Sequence, residues 1–225
     1  MNIAIIPARG GSKGIPNKNI KNFVGKPLIY WSIKAALASK SIDKVFVSSD
    51  SKKILKISSK FGAETVKRPK SISGDKATTE SAMLHLLKKL DNKDIKSICL
   101  LQPTSPLRQK NDIDNAYYEF YKGKNSSLFS GSELEDFLIW KKTKRGQFAS
   151  INYNYKKRGR RQDRELEYVE NGSIYISKPS LIFKNNRLGG KIGFYQMHFW
   201  QTFELDNIEE WKLLETFYKS YIGKD

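Results

Sequence analysis

Four short apolar runs, Asn2–Ile6, Lys44–Ser48, Glu64–Val66 and Ser97–Leu101, are separated by stretches whose apolar residues recur at helical spacing. This alternation constrains the fold more than any other feature of the chain. Short extended runs must pair with one another, and helical segments between them serve as crossovers, so the pattern predicts an α/β domain with a mainly parallel sheet flanked by helices on both faces. The helical stretches are Pro27–Ser39, Lys52–Phe61 and Thr79–Leu90; in the first, Leu28, Trp31, Ala35 and Ala38 share a face, and the proline stands at the first turn, where a helix tolerates one.

Beyond Ser126 the pattern changes to alternating aromatic and polar residues with a turn at Gly146, which predicts an inserted antiparallel β ribbon over roughly residues 128–178. A short helix at Pro179–Phe183, an apolar segment at Lys191–Met197 and an amphipathic helix at Ile208–Tyr221 follow. With 225 residues, 39% of them hydrophobic, and no repeat or low-complexity linker, the chain is expected to form a single domain over 1–225.

The 41 Lys and Arg against 23 Asp and Glu give a formal charge of +18, which favours phosphorylated ligands or polyanions without choosing between them. Cys99 is the single cysteine, so no internal disulfide can form, and within "SICLL" it reads as a small hydrophobe in a reducing compartment. No basic leader precedes the apolar residues of the N-terminus, and no segment approaches the ~20 apolar residues that cross a bilayer. A soluble, cytoplasmic protein without a membrane partner is therefore expected. His85 and His198 are too few and too far apart for a zinc cluster, and the four tryptophans read as core or interface residues.

The stretch "IIPARGGSKGIPNKN" leaves the first strand, where an open α/β sheet binds its ligand. Gly10, Gly11 and Gly14 let backbone N–H groups approach an anion, and Arg9, Lys13 and Lys18 add charge-assisted hydrogen bonds. The loop matches neither the Walker pattern nor the dinucleotide fingerprint. A second stretch, "LLQPTSPLR", leaves the fourth run, so Gln102, Thr104 and Ser105 should face the same crevice, stiffened by Pro103 and Pro106.

These two stretches, with "VSSD" and "KRP" between them in order, resemble the signatures of the acylneuraminate cytidylyltransferases, and "RQDRELEYVENGSIYI" and "FELDNIEEWKLLE" are similar to later segments of that family. The resemblance implies a Rossmann-like nucleotidyltransferase core, a ribbon that reaches across a homodimer, and Mg²⁺-dependent transfer of CMP from CTP to a nonulosonic acid. It implies that Arg9, Gly10, Gly11, Ser12 and Lys18 hold the triphosphate, with Lys18 on the α-phosphate. Asn19 would fix the nucleotide or cap the loop, Arg68 would contact base or sugar, and Ser81 would join the nucleotide site or belong to a helix start with Thr78 or Thr79 as its cap.

For the acceptor, the resemblance implies Gln102, Thr104, Ser105, Arg161, Gln162, Asn171 and Tyr175, with a guanidinium taking the sugar carboxylate. Tyr175 reads equally as a core aromatic. Glu204 and Asp206, two apart on an extended segment, could share one Mg²⁺. Asp206 also reads as a helix N-cap, with an acid three residues on. Alternatives are a different nucleotide or a 3-deoxy-octulosonic acid acceptor. The cluster "KKRGRRQDRE", read alone, suggests nucleic-acid contacts, which the resemblance does not imply.

Overall fold

The structure, a computed structural model, describes residues 1–12, 14–134 and 137–223, and of Arg161 only the backbone. In chain order its first half runs β1 (Asn2–Pro7), a small hairpin β2 (Asn22–Phe23) and β3 (Lys26–Pro27), α1 (Leu28–Ala38), β4 (Lys44–Ser49), α2 (Lys52–Lys60), β5 (Glu64–Lys67), α3 (Thr79–Leu90) and β6 (Ser97–Leu101). The second half runs α4 (Asp112–Lys122), β7 (Ser127–Glu133), β8 (Trp140–Lys142), β9 (Phe148–Ser150), β10 (Tyr168–Ser177), α5 (Pro179–Phe183), β11 (Ile192–Gln196) and α6 (Ile208–Tyr221).

Seven strands form one sheet in the order β11-β7-β10-β6-β1-β4-β5. Every neighbouring pair is parallel except the two made by β10, which runs antiparallel to β6 and to β7. In β1, Ile3, Ala4, Ile5 and Ile6 are all fully buried, as a strand covered on both faces requires. Ile3 and Ile5 pack with Phe46, Met83, Leu86 and Leu100 on one face, while Ala4 and Ile6 pack with Ile29, Ile33, Val47 and Leu101 on the other.

A third cluster lies off the sheet. Ile15, Phe23, Leu28, Leu107 and Leu205 pack against Trp211, Leu214 and Tyr218 of α6, and Phe23 meets Trp211 and Tyr218 edge to face at 5.8 and 5.9 Å. This cluster pins α6 beside the loop that follows β1.

Two features depart from the expectation. Residues 112–122, left without an element by the sequence pattern, form α4, which buries Ile113, Ala116, Tyr117 and Phe120 at helical spacing; its N-cap, Asn111, makes no capping bond. The antiparallel pairing expected over 128–178 is divided: β7 and β10 are strands of the main sheet, and the β8–β9 hairpin, turned at Gly146 with φ +79°, forms a separate sheet. Phe137, Trp140 and Phe148 stand exposed along that hairpin.

Candidate active site

Strand β1 lies between β4 and β6, so the chain's progress across the sheet reverses there and a crevice opens at the carboxyl ends of β1 and β6. A cavity of ≈470 Å³ occupies it, walled by Arg9, Ser12, Gly14, Lys18 and Asn19 from the first loop, Arg68 from the end of β5, Gln102 and Thr104 from the second loop, and Asp206. Residues far apart in sequence thus meet. Gly10 and Gly11 are not among the lining residues; the Gly10 N–H donates to Asp50 Oδ1 at 2.9 Å. Gly14 is required for packing, because a Cβ there would collide with the Asp206 carbonyl.

Each of two cavity cations holds a carboxylate. Lys18 Nζ donates to Asp206 Oδ1 and to the Leu205 carbonyl, both at 2.9 Å, and Arg9 Nη1 donates to Asp75 Oδ1 at 2.8 Å. Arg68 is buried, and its Nε has no hydrogen-bond partner. Burial lowers its pKa, opposed by Asp50 and reinforced by Arg9. Asn19 is buried and donates to the Arg9 carbonyl at 3.0 Å, closing the loop on itself. Among the described residues the wall thus carries three cations, two of them paired with carboxylates that also line the cavity.

Across the cavity the second loop grips β10. Gln102 Nε2 donates to the Gly172 carbonyl at 3.0 Å, and the Ser105 hydroxyl donates to the Asn171 carbonyl at 3.4 Å. Gly172 has φ +64°, and a Cβ on it would meet the Glu204 carboxylate and lie 2.8 Å from Gln102 Nε2. Thr104 donates to Glu204 Oε2 at 3.4 Å, and its carbonyl accepts from the Leu205 N–H at 2.9 Å. Glu204 has a raised pKa, first through burial and then through the neighbouring negative charge of Asp206.

Other residues expected here lie apart from the cavity wall. Asn171 is fully buried, accepting from the Ser130 hydroxyl at 2.7 Å and the Ser173 N–H at 3.1 Å. Tyr175 is buried under the Arg187 guanidinium, 4.5 Å from its ring centroid, and donates to Glu170 at 2.7 Å. The Ser81 hydroxyl is bonded to the Thr78 carbonyl at 2.6 Å, and Thr78 is the N-cap of α3. Gln162 is exposed on a 3-10 turn, and the Arg161 side chain lies outside the described residues.

Asp206 is not the cap of α6. That role falls to Asn207, which accepts from the Glu209 and Glu210 N–H groups while Glu210 reaches back to it. The one-residue shift leaves the Asp206 carboxylate at the cavity. Among the described residues no group of three or more His, Cys, Asp or Glu side chains could cage a metal. Mg²⁺ needs no such cage, since one or two carboxylates plus substrate phosphates suffice, so Glu204 and Asp206 fit it. No helix is long and apolar enough to cross a membrane among those residues.

The sequence weighs Asp75 evenly between ligand contact and a structural role and assigns no role to Asp50, Gly172 or Arg108. Each of the last three lies within a motif of the resemblance: Asp50 ends "VSSD", Gly172 stands in "RQDRELEYVENGSIYI", and Arg108 ends "LLQPTSPLR".

A family model described as "Cytidylyltransferase" matches residues 3–221. The chain is 35% identical over 227 residues to "N-acylneuraminate cytidylyltransferase A" of Danio rerio, an alignment covering 99% of this chain and 52% of that protein. It is 36% identical over 183 residues to "Pseudaminic acid cytidylyltransferase" of Campylobacter jejuni, covering 78% and 77%. The chain thus spans about half the length of the Danio rerio protein. Its backbone superposes on a structure of CMP:2-keto-3-deoxy-manno-octonic acid synthetase complexed with CTP with a TM-score of 0.70 at 15% identity, covering 98% of this chain and 99% of that one.

Proposed function

The chain belongs to the cytidylyltransferase family, and from that premise we propose that it transfers CMP from CTP to the anomeric hydroxyl of a sialic-acid-like nonulosonic acid. The observation that carries this reading is the convergence of Arg9, Lys18, Arg68 and Asp206 on one cavity at the carboxyl ends of β1 and β6. The acceptor class rests on the relatives, named for N-acylneuraminate and for pseudaminic acid.

In this reading the anomeric oxygen attacks the α-phosphorus, the bond to the bridging oxygen breaks, pyrophosphate leaves, and the hydroxyl proton passes to solvent. Such chemistry depends on positioning and on charge neutralisation. Arg9 and Ser12 hold the outer phosphates. Once Asp206 leaves it, Lys18 faces the α-phosphate, where negative charge builds in the transition state. Arg68 and Asn19 fix the nucleoside side, while Gln102 and Thr104 orient the acceptor. Asp206 and Glu204 would hold Mg²⁺, which supplies charge neutralisation on the triphosphate.

The enzyme works in the cytoplasm as a homodimer, and its CMP-sugar feeds the synthesis of a surface glycan such as lipopolysaccharide. The exposed aromatics of the β8–β9 hairpin support a dimer contact there. Pyrophosphate release with CTP and Mg²⁺ over a panel of nonulosonic acids and 3-deoxy-octulosonic acid, repeated with GTP and UTP, tests the reaction. Turnover with CTP and a nonulosonic acid is expected; absence of both turnover and CTP binding sinks it. Sedimentation of the intact chain tests the dimer.

A further inference from the structure

Just beyond the last paired residues of β6 and β10, Leu101 and Ile174, the two strands part at the cavity. Their ladder ends there, and backbone carbonyls that would be left bare are taken by side chains. Gln102, Ser105 and Arg108, spaced by three along the second loop, donate to the carbonyls of Gly172, Asn171 and Ser173. Three consecutive carbonyls of β10 are thus gripped by one loop.

Arg108 does most in this arrangement. Its guanidinium is buried at 6% exposure, and burial pulls its pKa down to about 10, so it stays charged at neutral pH. Its partners are neutral oxygens: Nη2 donates to the Ser173 carbonyl at 2.6 Å and the Gln102 carbonyl at 2.9 Å, and Nη1 to the Ser32 hydroxyl at 3.0 Å. Ser32 in turn donates to the same Gln102 carbonyl at 3.3 Å. The nearby charges of Asp112 and Glu204 offset part of the burial penalty, yet the guanidinium donates only to neutral oxygens, a costly way to fasten two strands. The planar guanidinium provides what a neutral contact lacks: Nη1 on Ser32 sets its orientation, and the two fixed N–H directions of Nη2 then set the angle between the two carbonyls.

We propose that Arg108 is a positioning residue: by bridging the Gln102 and Ser173 carbonyls it fixes where the Gln102 side chain meets the acceptor. The Gln102 amide nitrogen is already committed to Gly172, so its carbonyl oxygen remains to accept a hydrogen bond from a sugar hydroxyl or amide. This inference rests on the reading that Gln102 contacts the acceptor.

Two measurements on the full chain carrying Arg108→Lys separate the inference from that reading. Lysine keeps the charge but is one bond shorter and has a single rotating donor nitrogen, so it cannot hold the two carbonyls and the Ser32 hydroxyl together in one plane. Amide hydrogen exchange should quicken by about tenfold in residues 102–108 and 168–174 while β1 and β4 keep their rates; unchanged exchange in those segments overturns the clamp. In kinetics, the KM for the acceptor should rise about tenfold while the KM for CTP stays within about twofold. The double variant Arg108→Lys with Gln102→Ala should lie within about twofold of Gln102→Ala alone in kcat/KM. Additive losses, or equal rises in both KM values, overturn the proposal. Should Arg108→Lys not fold, Ser32→Ala removes the oxygen that holds Nη1, lets the guanidinium turn and so loosens both bridges; the acceptor KM should rise in the same direction by less, and no change overturns the proposal. A wild-type enzyme that turns over no acceptor refutes the reading of Gln102, while the exchange result still decides the clamp.

Discussion

Lys18 Nζ stands 2.9 Å from Asp206 Oδ1, an ion pair between residues 188 positions apart in the chain. The Lys18 side chain is 14% exposed and that of Asp206 69%, so the lysine is held in place while the acid is free to leave. Lys18→Met should lower kcat by about 10²–10³-fold, the usual effect of removing one transition-state donor, with a smaller change in the KM for CTP. Steady-state kinetics at varied CTP decides it. An unchanged kcat assigns Lys18 to loop anchoring.

Asp206→Asn keeps the shape of the side chain and removes the charge that would draw a divalent ion. The Mg²⁺ concentration giving half-maximal rate should rise by about tenfold or more. Titrating Mg²⁺ at saturating CTP reads this directly, and an unaltered curve removes Asp206 from the metal site.

Arg9 and Asp75 are 36% and 53% exposed, so their pair contributes only about 0–1 kcal/mol. Asp75→Asn frees the Arg9 guanidinium for phosphate, and the KM for CTP should fall by up to about fivefold at low salt. The gain should disappear near ~1 M salt, where the screening length is about 3 Å. A KM that rises instead shows that Asp75 contributes to the nucleotide complex itself.

Gly172→Ala introduces a side chain at φ +64° against the Glu204 carboxylate. Left-handed strain and overpacking together should cost about 2–4 kcal/mol, visible as a lower urea midpoint. The acceptor KM should rise as well, because Gln102 is bonded to the same residue.

Asp114 lies far from the site and ties down the exit from α1. Burial pushes its carboxyl up, but hydrogen bonds from the Ser39 hydroxyl at 2.6 Å, the Ser41 N–H at 2.9 Å and the Lys40 N–H at 3.2 Å outweigh that and hold its pKa below the usual aspartate value. A depressed folded pKa means stability that is present above the unfolded value of ~3.9 and lost as pH falls through the folded one. Asp114→Asn should therefore be less stable than wild type at pH ~7, with the difference shrinking below pH ~4. Urea midpoints across that range provide the check; a constant difference removes ionisation as the cause.

The sheet and most helices were legible because Ile3–Ile6, Val45–Val47 and Ile98–Leu101 are apolar without interruption, as strands buried on both faces must be. α4 escaped because its sequence, "DIDNAYYEFYK", is half polar and rich in tyrosine, and its N-cap carries no capping bond to mark a start. The bounds of α6 were legible, but Asp206 read equally as its cap and as a metal ligand, since Asp206 and Asn207 are both good caps and each has an acid three residues on. The cavity cations were visible in the loop and Asp206 in its acidic segment, but the pairing of cation with acid was not. Asp75 and Asp206 reach Arg9 and Lys18 only through tertiary packing, 66 and 188 residues away. Arg108 gave no sign of burial, because arginine is almost always at least partly exposed.

The third apolar cluster, which docks α6 against the loop after β1, also sets an order of events during synthesis. At about 5–20 residues per second, the ribosome makes Lys18 roughly 10–40 seconds before it reaches Asp206. Through that interval the loop's ammonium group has no Asp206 to hold it. A nascent chain therefore carries the Lys18 ammonium without its acid until Trp211, Leu214 and Tyr218 arrive to dock α6 and bring Asp206 to it.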